Sequence, residues 1–109
     1  MDRPPAGTVL ANVDRLPDKG GVAVDWQDTP LILVRAGADV RCYVNVCPHA
    51  GRSLALPDGR VFVHKDTNII CPVHGATFDA ASGACTGGPA GDPLTAIAID
   101  IVGNEVVVA

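Results

Sequence analysis

Four residues carry the chemistry of this sequence. Cys47-Pro48-His49 is a C-x-H triplet, Cys71-Pro72-Val73-His74 is a C-x-x-H quartet, and a glycine follows each, Gly51 and Gly75. Each loop offers one thiolate and one imidazole, so two such loops brought together form a two-sulfur, two-nitrogen metal site. Thiolates are soft donors that select zinc, Cu(I) or iron–sulfur clusters, and imidazole suits zinc and iron. Glycine lets the backbone approach a bound group closely. Proline narrows the conformations the loop must give up on closing.

Two kinds of metal centre compete for this donor set. Structural zinc usually draws on like pairs, C-x-x-C followed by H-x₃₋₅-H. Here each pair mixes Cys with His. In a Rieske centre two His bind one iron and two Cys the other. Mixed loops meet that demand if each Cys reaches an inner iron and each His an outer one. A zinc-stabilised interaction module stays the alternative from a different class.

The rest of the chain must supply a scaffold for these loops. Its 109 residues fit one domain with a core, since 48% are hydrophobic and 18% charged. Aromatic residues are only 4%, leaving Val, Ile, Leu and Ala to fill that core. Eight basic against twelve acidic residues disfavour a nucleic-acid partner. No run approaches the length of a membrane span. The start, MDRPPAGTVL, lacks the basic-then-apolar pattern of a signal peptide, so a reducing cytoplasm is the expected compartment.

Residues 1–7 read as a Pro-rich lead-in. Short β-branched runs follow at Val9–Val13, Val22–Trp26, Leu31–Ala36, Val40–Val46, Val61–Val63, Asn68–Cys71, Ala76–Asp79, Leu94–Val102 and Glu105–Val108, and they read as strands. Gly37-Ala38-Asp39 and Gly103-Asn104 mark hairpins. Val40, Cys42, Val44 and Val46 share one strand face, Arg41, Tyr43 and Asn45 the other. Likewise Thr95, Ile97, Ile99 and Ile101 are expected on one face. The best helix candidate, a turn around Asn12–Asp18, is interrupted by Pro17. The expected order is four strands, a loop-rich middle from Cys47 to about Pro93, and two closing strands.

On these residues the sequence resembles the Rieske [2Fe–2S] family. Cys47-Pro-His49-Ala-Gly51 and Cys71-Pro-Val-His74-Gly75 look like its two ligand loops. Ala76-Thr-Phe78-Asp79-Ala-Ala-Ser-Gly83 is similar to the strand and turn after the second loop, and Gly87-Gly88-Pro89-Ala90 to a Pro-containing third loop that covers the cluster. The resemblance implies an all-β fold: a single Rieske domain over 1–109, an antiparallel β-sandwich with a small cluster-binding subdomain at about 45–80. It implies one [2Fe–2S] cluster per chain, with Cys47, His49, Cys71 and His74 as cofactor and metal ligands. The spacing between the ligand pairs is a few residues longer than in the most compact Rieske ferredoxins, and the extra residues fall at Pro57–Lys65, read as an exposed hairpin or loop.

High-potential members carry a disulfide between the ligand loops. The matching positions here are Arg52 and Val73. Those members also place Ser and Tyr hydroxyls on the sulfurs, where this chain has Ala76 and Phe78. Hydrogen bonds to sulfur raise the potential, so their absence implies the low end of the Rieske range, roughly −150 mV upward. With neutral His, the oxidised core and its thiolates sum to zero charge, and reduction adds one negative charge. The resemblance thus implies a small ferredoxin with no catalytic residue of its own, carrying one electron at a time from a flavin reductase to a terminal oxygenase. A small subunit of a larger oxidoreductase, of the nitrite-reductase type, is the related alternative.

The remaining candidates read as structural. Cys42 faces with Val40 and Val44 and is expected to be a core thiol. Cys85, in the Ser82-Gly83-Ala84-Cys85 turn, is expected to be a packed thiol, with a Cys42–Cys85 disulfide left open. His64 is expected in solvent and Trp26 as a core or edge filler. Arg52 is read equally as a partner contact or a surface charge.

Overall fold

The computed structural model describes residues 3–17, 19–36, 39–48, 51–65, 67–73, 75–88 and 91–109. The strands are β1 (Val9–Asn12), β2 (Gly21–Trp26), β3 (Thr29–Ala36), β4 (Asp39–Val44), β5 (Arg60–His64), β6 (Asn68–Ile70), β7 (Thr77–Asp79), β8 (Cys85–Gly87), β9 (Ala96–Ile97), β10 (Ile99–Val102) and β11 (Glu105–Val108). They form a three-stranded sheet in the order β1-β11-β10 and an eight-stranded sheet in the order β8-β7-β6-β5-β2-β3-β4-β9. Every pairing is antiparallel. The expected helical turn is a single 3₁₀ turn, Val13–Arg15.

Strand β3 explains why the molecule has two cores. Leu31, Ile32, Leu33 and Val34 are all fully buried. Side chains alternate along a strand, and here Leu31 and Leu33 enter one cluster while Ile32 and Val34 enter another. The first cluster, with Leu10, Leu16, Cys42, Ile97, Val106 and Val108, fills the space under the three-stranded sheet. The second is built from Tyr43, Val61, Ile69, Phe78 and the loop residues Cys47, Leu54, Cys71 and Ala76. Adjacent residues of β4 divide the same way, Cys42 into the first core and Tyr43 into the second.

Three expectations need correction. The Leu94–Val102 run is two strands, not one: β9 pairs with β4, whereas β10 pairs with β11 in the other sheet. The expected common face is therefore broken, and Ile97 is buried while Ile101 is half exposed. In the loop-rich middle β5, β6 and β7 fall on the runs expected there, but Cys85 opens a further strand, β8, rather than lying in a turn. The Pro57–Lys65 stretch begins in a turn, closed by Gly59 N–H to Leu56 O and Leu56 N–H to Arg60 O, and ends in another at Lys65. From Arg60 the chain is strand β5, and Val61 is buried. The Cys42–Cys85 bridge left open does not form: the two residues contribute to different cores, and neither is in a disulfide.

The hairpins fall where glycine or tight pairing allows them. Val102 pairs with Glu105 across Gly103-Asn104, and Gly103 takes a positive φ of 61°. Ala36 pairs with Asp39, as the Gly37-Ala38-Asp39 signal leads one to expect; Gly37 and Ala38 themselves lie outside the described residues. A third hairpin, across Gln27-Asp28 with Gln27 at φ 52°, carries no glycine signal.

Candidate metal centre

The two Cys loops have the same backbone frame. In the first, Cys47 N–H donates to Arg52 O at 2.7 Å and Gly51 N–H donates to Cys47 O at 2.8 Å. In the second, Cys71 N–H donates to Ala76 O at 2.8 Å and Gly75 N–H donates to Cys71 O at 3.0 Å. Each cysteine thus pairs with the fifth residue after it and accepts from the fourth. The fourth is glycine both times, with φ of 66° at Gly51 and 75° at Gly75. That left-handed turn is open to glycine at little cost and strains other residues. The C-x-H and C-x-x-H motifs therefore differ in ligand spacing but not in loop frame.

Both cysteines point inward. Cys47 is 1% exposed and Cys71 2%, and they belong to the same packed cluster with Leu54, Ala76 and Phe78. His49 and His74 lie outside the described residues. Arg52 and Val73, the positions that would carry a bridge in high-potential relatives, are both exposed. Ala76 and Phe78 are fully buried and have no hydroxyl to offer.

A third segment closes on the second loop. A Cβ placed on Gly88 would lie 2.6 Å from Ala76 Cα and 3.1 Å from Gly75 O, and Gly88 has φ +80°. Only glycine lets the chain come this near. The adjoining Pro89 and Ala90 lie outside the described residues. The sequence points to Gly88 through the Gly-Gly-Pro pattern but cannot show which loop it meets.

The other thiols differ from this pair. Burial pushes the Cys42 thiol from 9.0 up to about 12. A thiol held protonated is a poor nucleophile and metal ligand, so Cys42 is a packing residue, as expected. Cys85 is half buried against the second core, with Sγ 3.6 Å from Gly87 O. His64 is exposed at the end of β5, and Trp26 packs at the margin of the first core.

The donor chemistry fits an iron–sulfur cluster. Two soft donors share one apolar core, on loops that each turn at a left-handed glycine, and Gly88 packs against the backbone of the second loop. Residues 7–102 match the Rieske [2Fe-2S] domain family, and the chain belongs to that family. A [2Fe–2S] cluster is therefore its cofactor.

Individual relatives agree. The chain is 28% identical over 87 residues to the 3-phenylpropionate/cinnamic acid dioxygenase ferredoxin subunit of Shigella boydii serotype 4 (strain Sb227), covering 79% of this chain and 78% of that one. Its fold superposes on the ferredoxin of Sphingomonas yanoikuyae B1 with TM-score 0.79 and 28% identity, over 94% and 96% of the two chains. The ferredoxin of carbazole 1,9a-dioxygenase from Nocardioides aromaticivorans IC177 gives TM-score 0.80 and 29% identity, over 96% and 98%. No helix among the described residues is long and apolar enough to cross a membrane.

Proposed function

We propose that this protein is a Rieske-type ferredoxin, a single domain over residues 1–109 that carries one electron at a time to a terminal oxygenase. The observation that carries the reading is the pair of equivalent loops that sends Cys47 and Cys71 into one core. In this reading Cys47 and Cys71 hold the inner iron, and His49 and His74 hold the outer one. The bound cluster supplies the ability to take up and release one electron.

The chain's own residues tune that exchange. Leu54, Ala76 and Phe78 surround the cysteines with apolar contacts and keep water from the sulfur side. Ala76 and Phe78 give the sulfurs no side-chain hydrogen bond. An apolar surround disfavours the extra negative charge of the reduced state. Both effects favour a midpoint in the lower part of the Rieske range, which begins at about −150 mV. In this reading the cluster-binding part, about residues 45–80, comprises the two loops with β5 to β7, and Gly88, just past β8, packs against the second of them.

The oxygenase as acceptor is supported by relatives named as ferredoxins of dioxygenases. A flavin reductase is the donor we propose. A reducing cytoplasm suits four cysteines of which none is in a disulfide.

The test is to purify the protein and analyse its metal. A reddish-brown protein with equal iron and acid-labile sulfide, an EPR signal only when reduced and a midpoint below zero supports the reading. A colourless protein holding zinc rejects it, and a midpoint clearly above zero rejects the low-potential part.

A further inference from the structure

The two ligand loops share a frame, but their bases are closed differently. Behind Cys71, strands β6 and β7 pair as Ile70↔Thr77 and Ile69↔Phe78, so a ladder of backbone hydrogen bonds clamps the second loop. Ile69 and Phe78 are both fully buried there. Behind Cys47 there is no such ladder. Strand β4 ends at Val44, and residues 52–59 are not strand. The backbone of the incoming segment is turned elsewhere: Asn45 N–H donates to Pro30 O at 2.9 Å, and Val46 N–H to Val44 O at 2.9 Å.

A side chain fills the gap. Asn45 Oδ1 accepts from Leu54 N–H at 2.6 Å, and Asn45 Nδ2 donates to Ser53 Oγ at 3.1 Å. Ser53 Oγ in turn accepts from Ala55 N–H at 3.1 Å and lies 3.3 Å from Ala55 O. Asn45 is two residues before its cysteine, as Ile69 is before Cys71. Leu54 is two residues after the loop-closing carbonyl of Arg52, as Phe78 is after Ala76. Asn45 and Leu54 thus occupy the places of the Ile69–Phe78 pair. Asn45 is one of two polar residues found buried among those described, at 8% exposure.

We propose that Asn45 is a positioning residue for the cluster: its amide replaces the missing β-ladder and holds the Cys47–Arg52 loop at the aperture that metal binding needs. The inference rests on the reading of that loop as a ligand loop. Leu54 is the lever. It is 1% exposed in the same core as Cys47, so fixing its amide fixes the wall against which the thiolate sits. Without the carboxamide, Leu54 N–H is left buried and unpaired, and the loop exit is free to move away from its entry. Uncompensated buried donors are expensive, so the effect should exceed that of one ordinary hydrogen bond.

The experiment compares the purified, cluster-loaded protein with Asn45→Ala, Asn45→Asp and Val106→Ala. Val106 is buried in the other core, so Val106→Ala weakens the fold without touching the loop. Bleaching of visible absorbance under excess chelator gives the cluster-loss rate, amide hydrogen exchange follows Leu54, and EPR of the reduced protein reports cluster geometry. Asn45→Ala is expected to speed cluster loss by about tenfold, expose the Leu54 amide to exchange and broaden the EPR lines. Asn45→Asp keeps the acceptor for Leu54 N–H and should recover most of the retention. Val106→Ala should leave the EPR spectrum unchanged and speed loss less than Asn45→Ala. Equal loss rates in Asn45→Ala and Val106→Ala, or Asn45→Asp behaving as Asn45→Ala, overturn the proposal. A wild-type protein without a cluster overturns the ligand-loop reading itself, a distinguishable failure.

Discussion

Gly88 lies directly against the backbone of Ala76: a Cβ on Gly88 would come within 2.6 Å of Ala76 Cα. This contact joins the segment after β8 to the Cys71 loop, and it contains no side chain on the Gly88 side. Alanine at Gly88 would meet two penalties, the positive φ of 80° and the collision. Gly103 is a matched control, because its φ is +61° with nothing within 4 Å of a Cβ. Gly103→Ala should cost about 1–2 kcal/mol from strain alone. Gly88→Ala should cost more, and only Gly88→Ala should speed cluster loss, because it alone displaces a loop of the site. Denaturant unfolding and bleaching under chelator measure both. Equal cluster retention in the two variants would show that the third loop does not cover the cluster.

The legible part of this molecule is the part written in residue type. Cys47 and Cys71 announce themselves by spacing, and the alternation of β4 correctly assigns Cys42 to a core and Tyr43 to the opposite face. The β3 run could be read as a strand, yet nothing in it shows that its two faces fill two separate cores. The break at Ala98 was hidden for a related reason. Ile97, Ile99 and Ile101 keep a perfect period of two, but the chain changes sheets between β9 and β10, and periodicity cannot register a change of partner. Cys85 shows the same limit: Ser82 and Gly83 signal a turn, and β8 exists only because β7 offers an edge at Phe78. Alternation places Asn45 on a strand face and no more, since its role depends on Leu54, nine positions on.

Cys47 and Cys71 should separate from Cys42 on substitution. Cys47→Ser and Cys71→Ser each remove a soft donor from the shared core and should abolish or sharply reduce iron content. Cys42→Val keeps a similar apolar volume in the other core and should retain full iron and colour. Iron analysis with visible absorbance decides it. Loss of iron in Cys42→Val at unchanged folding would mean that the first core, too, contributes to the site.

Tyr43 ties the two ends of the large sheet together. From β4 its hydroxyl donates to Ala80 O at 2.7 Å, just beyond β7, in a fully buried setting. Tyr43→Phe leaves that carbonyl without its side-chain donor and should destabilise the protein by about 1–3 kcal/mol. Hydrogen exchange should quicken in β6 and β7 more than in β10 and β11, because the lost bond joins β4 to the end of β7. A uniform change across both sheets would contradict this assignment.

Alkaline pH should weaken the fold through the adjacent residues Cys42 and Tyr43. Burial raises the Cys42 thiol from its ordinary 9.0 to about 12. Burial also raises the Tyr43 phenol from 10.0 to about 12, with Arg41 opposing and Asp79 and Cys42 reinforcing the rise. In each case the folded chain keeps a proton that the unfolded chain has already lost. Stability from these groups is therefore complete below about pH 9 and falls as pH climbs toward about 12. One group contributes a slope of up to about 1.4 kcal/mol per pH unit. Denaturant unfolding from pH 8 to 11 should show wild type losing stability from about pH 9, with a steeper fall above about pH 10 as the phenol joins. Cys42→Val removes the first contribution, so its curve should stay flat until about pH 10 and lose roughly 2 kcal/mol less by pH 11. Parallel curves for the two proteins would mean that Cys42 does not hold its proton in the folded state.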